Sequence, residues 1–125
     1  MNSLILIVDD NVDLLLNLQM TLEFNNYEVI SAENGKEALK ILKELDHLPE
    51  LIISDIMMPK MDGYELFKTV SKSSRWNSVP FLFLSAYSPT KEDIIGNKIN
   101  NDDIIIKPFK EDELLRVISD KITAK

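Results

Sequence analysis

The chain has no cysteine, one histidine, one tryptophan and three glycines in 125 residues. Without cysteine there are no disulfides and no thiolate metal sites. The single histidine, His47, lies among polar residues where a helical pattern ends and reads as a surface residue. No Gly-x-Gly-x-x-Gly or Walker-type loop follows any apolar segment, so nucleotide binding has no support from motifs. No stretch approaches the ~20 apolar residues of a membrane span. The start has no basic region, and its first apolar run stops at Asp9 and Asp10, so no signal peptide is expected. Positive charge is scarce: 14 Lys and Arg stand against 21 Asp and Glu, a net charge of −7. A surface of that sign repels a phosphate backbone, so direct nucleic-acid binding is not expected. A cytoplasmic, membrane-free protein fits these absences.

What is present is a regular alternation. Residues 4–8, 51–54, 80–84 and 104–106 are short, mainly aliphatic or aromatic runs, and residues 28–32 form a less apolar one. Continuous runs of this kind suit strands buried on both faces, as in parallel sheets. Between them lie helical spacings. Leu14, Leu15, Leu18 and Leu22 mark a helix over residues 13–24. Ala38, Leu39, Ile41, Leu42 and Leu45 mark a second, with Asn34 as its N-cap and Glu37 placed as in a capping box. Tyr64, Phe67 and Val70 give a third. Pro89 stands where a first-turn proline would open a fourth, short and weak beside Gly96 and its asparagines. Leu114, Leu115, Ile118 and Ile122 mark a fifth over residues 111–122. Trp76, in the polar stretch 71–78, reads as a partly packed anchor. Five strand–helix repeats with short connections predict an α/β fold, a doubly wound parallel sheet covered by helices on both faces.

In such a sheet the carboxyl ends of the strands share one edge, where ligands bind. The residues there are Asp9 and Asp10, Asp55, Ser85 and Lys107, delivered by four different strands. Each has a plainer role when taken singly. The acids would serve as helix caps or turn residues, Ser85 as a turn serine and Lys107 as a surface lysine. Together at one edge they favour a joint site. Three carboxylates in one cleft repel, and a hard divalent cation relieves that repulsion. Oxygen-only ligands favour magnesium, or manganese, over zinc. The thioethers of Met57, Met58 and Met61 are too soft for such an ion and read as packing. A carboxylate beside the metal can attack phosphorus and form an aspartyl phosphate, with Lys107 and Ser85 meeting the phosphoryl oxygens.

The stretches Ile7-Val8-Asp9-Asp10, Ala32-Glu33-Asn34-Gly35-Lys36-Glu37-Ala38-Leu39, Asp55-Ile56-Met57-Met58-Pro59-Lys60-Met61-Asp62-Gly63, Ser85-Ala86 and Lys107-Pro108-Phe109 stand out in order along the chain. Together they resemble the motifs of the response regulator receiver domain of bacterial two-component systems, over essentially the full length. The resemblance implies a flavodoxin-like sheet in the order 2-1-3-4-5 with five flanking helices. It makes residues 1–125 one receiver domain with no output domain. Asp55 is then the phosphoacceptor, Asp10 a direct magnesium ligand, Asp9 a ligand through water, and the Met57 main-chain carbonyl a further ligand. Lys107, Ser85 and Ala86 bind the phosphoryl group and switch. The Lys107–Pro108 bond is expected to be cis. The implied role is a phosphorylation-activated switch, not an enzyme in its own right, although it promotes its own phosphorylation and dephosphorylation. Its partners are a sensor histidine kinase or phosphotransfer protein and a downstream protein target or output domain. A phosphorylation-dependent homodimer would use the fourth helix, fifth strand and fifth helix.

Five positions depart from the pattern or tune it. Ile104 stands where the family carries a switching aromatic, so no ring flip can occur there, and the output response is expected in backbone or helix shifts over residues 94–106. The Gly-Ala expected before Asp102 and Asp103 is replaced by Asn100 and Asn101. Met57 and Tyr87, two residues beyond Asp55 and Ser85, flank the path of an attacking water and are expected to lengthen the phosphoryl lifetime. The alternative is an aspartyl-phosphate phosphatase of the haloacid dehalogenase type. That reading needs a second acid two residues after the nucleophile, where this chain has Met57.

Overall fold

In the computed structural model, which describes residues 2–123, the five runs become five parallel strands in the order β2-β1-β3-β4-β5. The elements alternate as β1 (Leu4–Val8), α1 (Val12–Phe24), β2 (Glu28–Ala32), α2 (Gly35–Glu44), β3 (Leu51–Asp55), α3 (Gly63–Lys72), β4 (Phe81–Ser85), α4 (Lys91–Gly96), β5 (Ile104–Ile106) and α5 (Glu111–Thr123). Residues 1, 124 and 125 of the expected domain lie outside the described residues. Register is in step across the sheet. Val8 pairs with Ala32 and Ser54, Asp55 with Leu84, and Ser85 with Ile106, so the strand ends line up along one edge.

Successive strand residues serve opposite cores. Leu6, Val8, Ile52, Phe81 and Phe83 pack with Ala38, Leu42, Leu66 and Val70 of α2 and α3. Ile5, Ile7, Ile53, Leu82 and Leu84 pack with Leu15, Leu22, Leu114 and Ile118 of α1 and α5. This two-sided burial is why the runs read as unbroken apolar segments.

Several boundaries differ from expectation, each for a local reason. β3 extends to Asp55 and β4 shifts to residues 81–85, because Asp55 pairs with Leu84 and Ser85 pairs with Ile106. Pro80 stays outside β4, although its carbonyl accepts from Ile52 N at 3.0 Å. Pro89 does not open α4. Thr90 is the N-cap, with a complete capping box in which Thr90 Oγ1 accepts from Asp93 N and Asp93 Oδ2 from Thr90 N, both at 3.1 Å. On α2, Asn34 Oδ1 accepts from Glu37 N at 2.9 Å as expected. Leu14 points outward rather than into the core, and Val12, Leu16, Met20 and Phe24 on α1 are also exposed. Trp76 is 7% exposed and belongs to the core on the α2–α3 side, with its indole Nε1 unpartnered. His47 is exposed.

Candidate functional site

The site is built from strand ends. Asp55 is the last residue of β3, and its neighbour Ser54 is fully buried, with its hydroxyl donating to Asp55 O at 2.8 Å. Asp55 Oδ1 accepts from Ile56 N at 2.8 Å, which leaves Oδ2 facing the pocket. Asp9 follows β1 and is 6% exposed; its Oδ1 accepts from Asn11 N at 2.9 Å and its main-chain N–H donates to Ala32 O. Asp10, next in the chain, is exposed. Lys107 follows β5, where its main-chain N–H donates to Ser85 O at 2.7 Å. Its ammonium reaches back to 3.3 Å from Asp9 Oδ2 and 3.7 Å from Asp55 Oδ2. The Lys107–Pro108 bond is cis.

Asp9, Asp10 and Asp55 each offer a carboxylate oxygen, and these oxygens lie within 4.8 Å of one another. One lysine is too little to neutralise three such charges. Burial pushes the Asp55 carboxyl above its ordinary range; Lys107 pulls it down, while Asp9 and Asp10 raise it further. A mutually repelling, all-oxygen set of this size suits a hard divalent cation.

The remaining predicted residues surround this set in different ways. Ser85 is buried, but its hydroxyl is engaged with Tyr87, donating to Tyr87 O and accepting from Tyr87 N at 3.1 Å. Ala86 is exposed. Met57 and Tyr87 are 66% and 73% exposed at the rim. Ile104 is half-buried, paired with Phe83 and packed on the α2–α3 core. Phe83 in turn meets the Tyr64 ring at 5.8 Å, so an aromatic neighbour of this strand pair comes from α3 and not from β5.

Two main-chain contacts were not predicted, although Gly63 and Tyr87 themselves are among the residues singled out in the sequence. Gly63 closes against the back of Asp55. Its N–H donates to Ile56 O at 2.8 Å, and a Cβ there would lie 2.3 Å from Asp55 O. The Asp-Gly pair ahead of a helical pattern was the available signal; Asp62 is the α3 N-cap, accepting from Glu65 N at 2.9 Å. The second is the Tyr87 main chain as the partner of Ser85, which a hydroxyl two residues before a free N–H could have suggested.

The family model of the response regulator receiver domain matches residues 5–119. The chain is 41% identical over 110 residues to a probable transcriptional regulator, ycf27, of Porphyridium aerugineum, covering 88% of this chain and 44% of that protein. It is 38% identical over 114 residues to the alkaline phosphatase synthesis transcriptional regulatory protein PhoP of Bacillus subtilis (strain 168), covering 91% of this chain and 46% of that protein. The chain thus spans under half the length of these curated relatives. Among solved structures, the chemotaxis response regulator CheY4 of Vibrio cholerae superposes with a TM-score of 0.85 at 29% identity, covering 97% of this chain and 99% of that one. The Francisella response regulator 1452 receiver domain gives 0.82 at 34% identity, covering 99% and 100%. The dehalogenase-type phosphatase alternative is not supported. The chain belongs to the response regulator receiver domain family, the signalling switch of two-component systems.

Proposed function

We propose that Asp55 accepts a phosphoryl group from a phosphohistidine on a sensor histidine kinase or phosphotransfer protein. The observation that carries this is the meeting of three carboxylate oxygens within 4.8 Å of one another beside a single ammonium. An oxygen of Asp55 attacks phosphorus, the P–N bond to the imidazole breaks, and the imidazole leaves as the neutral base after taking up a proton. Asp10 and Asp55, the Met57 carbonyl, and Asp9 through water are the groups we assign to Mg2+, with Mn2+ as a substitute. When bound, the ion supplies positive charge against the acids and the transferring oxygens. Lys107 stays with the pocket and pairs with the phosphoryl group once Asp55 carries it as an acyl phosphate. For Ser85 to donate there, its hydroxyl must leave Tyr87, which ties the first event to the β4–α4 loop and Ala86. With Ile104 in place of an aromatic, the response passes into residues 94–106 as backbone and helix shifts.

The domain is read as one receiver unit that acts through protein contacts. It is a switch whose own pocket promotes gain and loss of the phosphoryl group. Val12, Leu16, Met20 and Phe24 form an exposed apolar row at i, i+4 spacing on α1, beside the acid pocket, and that row supports docking of the phosphodonor. Ile95 and Ile106, 76% and 40% exposed, support a downstream target or a phosphorylation-dependent homodimer on α4, β5 and α5. The net charge of −7 supports a partner other than nucleic acid. Among the described residues no helix is long and apolar enough to cross a membrane; the working compartment in this reading is the cytoplasm.

Incubation with acetyl phosphate and Mg2+ is expected to add one phosphoryl group per chain, measured by intact mass, and EDTA is expected to prevent it. Continued hydrolysis of a generic phosphate ester with no covalent label would overturn the switch. Met57 and Tyr87 are expected to shield the acyl phosphate. The double variant Met57→Asn, Tyr87→Glu is expected to shorten its half-life clearly, because it unshields the acyl phosphate and places polar groups beside the path of the attacking water. A half-life equal to or longer than the wild type's would sink that role.

A further inference from the structure

The charge of this chain is unevenly spread. Residues 1–35 hold six acids and no lysine or arginine, whereas residues 66–91 hold Lys68, Lys72, Arg75 and Lys91 and no acid. Part of that positive charge lines a groove of about 460 Å3 between α3 and the end of α4, whose walls include Phe67, Lys68, Ser71, Lys72, Asn97 and Lys98. Lys68 and Lys72 are one helical turn apart on α3, and Lys98 faces them from the other wall. Glu65 precedes Lys68 by three residues, yet none of these three ammoniums has a carboxylate within ion-pair distance among the described residues. Three unpaired like charges around one concavity repel, and in a chain of net charge −7 nothing requires them to cluster.

The backbone adds a second observation. Lys98 sits just past the α4 C-cap, Asn97, with φ at 57°. That left-handed position at a helix end normally belongs to glycine, or to asparagine. Gly96 and Asn97 lie immediately before it, so the two residue types that take this conformation most readily are out of register and a lysine carries the strain. The side chain kept at that cost is one that lines the groove.

We propose that this groove binds a diphosphate ester, with the three ammoniums, the Ser71 hydroxyl and the Asn97 amide meeting the phosphate oxygens and Phe67 flanking the organic group. The volume fits a small molecule. Point-charge lysines joined by a hydroxyl and an amide suit a compact polyanion better than a single carboxylate. The site is separate from the acid pocket and needs neither Mg2+ nor Asp55. Because it bridges α3 and the end of α4, its occupant ties together two helices that begin at the Asp55 and Ser85 loops.

The test is calorimetric titration of the folded chain in EDTA with inorganic pyrophosphate and, separately, ADP. Both are expected to bind, ADP more tightly because of Phe67. Lys68→Ser with Lys72→Ser is expected to weaken both at least tenfold, the scale on which charge-assisted contacts act. Lys98→Gly is expected to raise the melting temperature while weakening binding, an outcome that unfolding cannot mimic. Absence of binding at millimolar ligand, binding unchanged in the lysine variants, or preference for poly-glutamate over pyrophosphate would each overturn the proposal.

Discussion

Asp55→Asn is expected to abolish phosphoryl uptake and at the same time to yield a more stable protein at neutral pH in the absence of divalent cations. The first effect follows from the nucleophile: an amide oxygen carries no negative charge to attack phosphorus, and neither Asp9 nor Asp10 replaces it. The Asp9 carboxylate is already held by Asn11 N and Lys107, and Asp10 lies on the exposed side of the set. The second follows from the repulsion in the pocket. Burial and two neighbouring acids raise Asp55 above its ordinary range despite Lys107. A carboxyl whose folded-state pKa exceeds its unfolded one binds its proton more tightly in the folded chain. The contribution of this group to stability is therefore fully present below the ordinary carboxylate range and is lost as pH rises through the raised value. Asparagine removes that loss. For a partly exposed group we expect a small gain at pH 7 that vanishes in acid. Mg2+ should stabilise the wild type by about 1.4 kcal/mol at ten times its Kd, and the variant by clearly less. Thermal unfolding of both proteins at pH 7 and pH 4, with and without Mg2+, measures all of this. A variant less stable than the wild type in EDTA would contradict the electrostatic account.

Gly63→Ala is expected to be the most damaging single-methyl change in the chain. The added Cβ would lie 2.3 Å from Asp55 O, 2.9 Å from Ile56 Cα and 3.1 Å from Asp55 C. These are backbone atoms of the phosphoacceptor and its neighbour, on the strand end that forms the pocket wall, and they cannot swing aside as a side chain would. Overpacking of this kind costs about 3 kcal/mol, or a fall in melting temperature of roughly 10 °C for a domain of this size. Relief requires β3 and α3 to move apart, which displaces Asp55. Labelling should therefore slow even in the fraction that remains folded. Gly96→Ala is the control: a Cβ there meets nothing within 4 Å, and the residue ends α4, so a gain of about 0.5 kcal/mol is expected. Equal stabilities for the two variants would show that the approach of Gly63 to Asp55 is not the constraint.

The contrast between these glycines shows what was legible before the structure. Strand runs and helical spacings led to the sheet because two-sided burial leaves a mark on every strand residue, as in Leu51, Ile52 and Ile53. The site residues followed from the sheet, since parallel strands deliver their ends to one edge, and Asp9, Asp10, Asp55 and Lys107 do meet there. Contacts made through the main chain left no such mark. Neither the closeness of Gly63 to Asp55 O nor the hold of Tyr87 on Ser85 changes any hydrophobic pattern. The start of α4 was misplaced because Pro89 and Thr90 both carry helix-start signals, and the reciprocal pair Thr90–Asp93 decided between them. Leu14, whose spacing places it with the core, faces water instead, because a helix with apolar residues nearly all round does not reveal which of them are exposed. Trp76 is packed, as an anchor in a polar stretch should be, and more deeply than that stretch suggests.

The most direct test is to locate the phosphoryl group. The wild-type chain, labelled with acetyl phosphate and Mg2+, is reduced with borohydride, which converts an acyl phosphate to the alcohol, and its peptides are mapped by mass. The account predicts a single reduced position, Asp55, with Asp9, Asp10 and His47 unmodified. Reduction at Asp9 or Asp10, or a label that stays on His47, would contradict it.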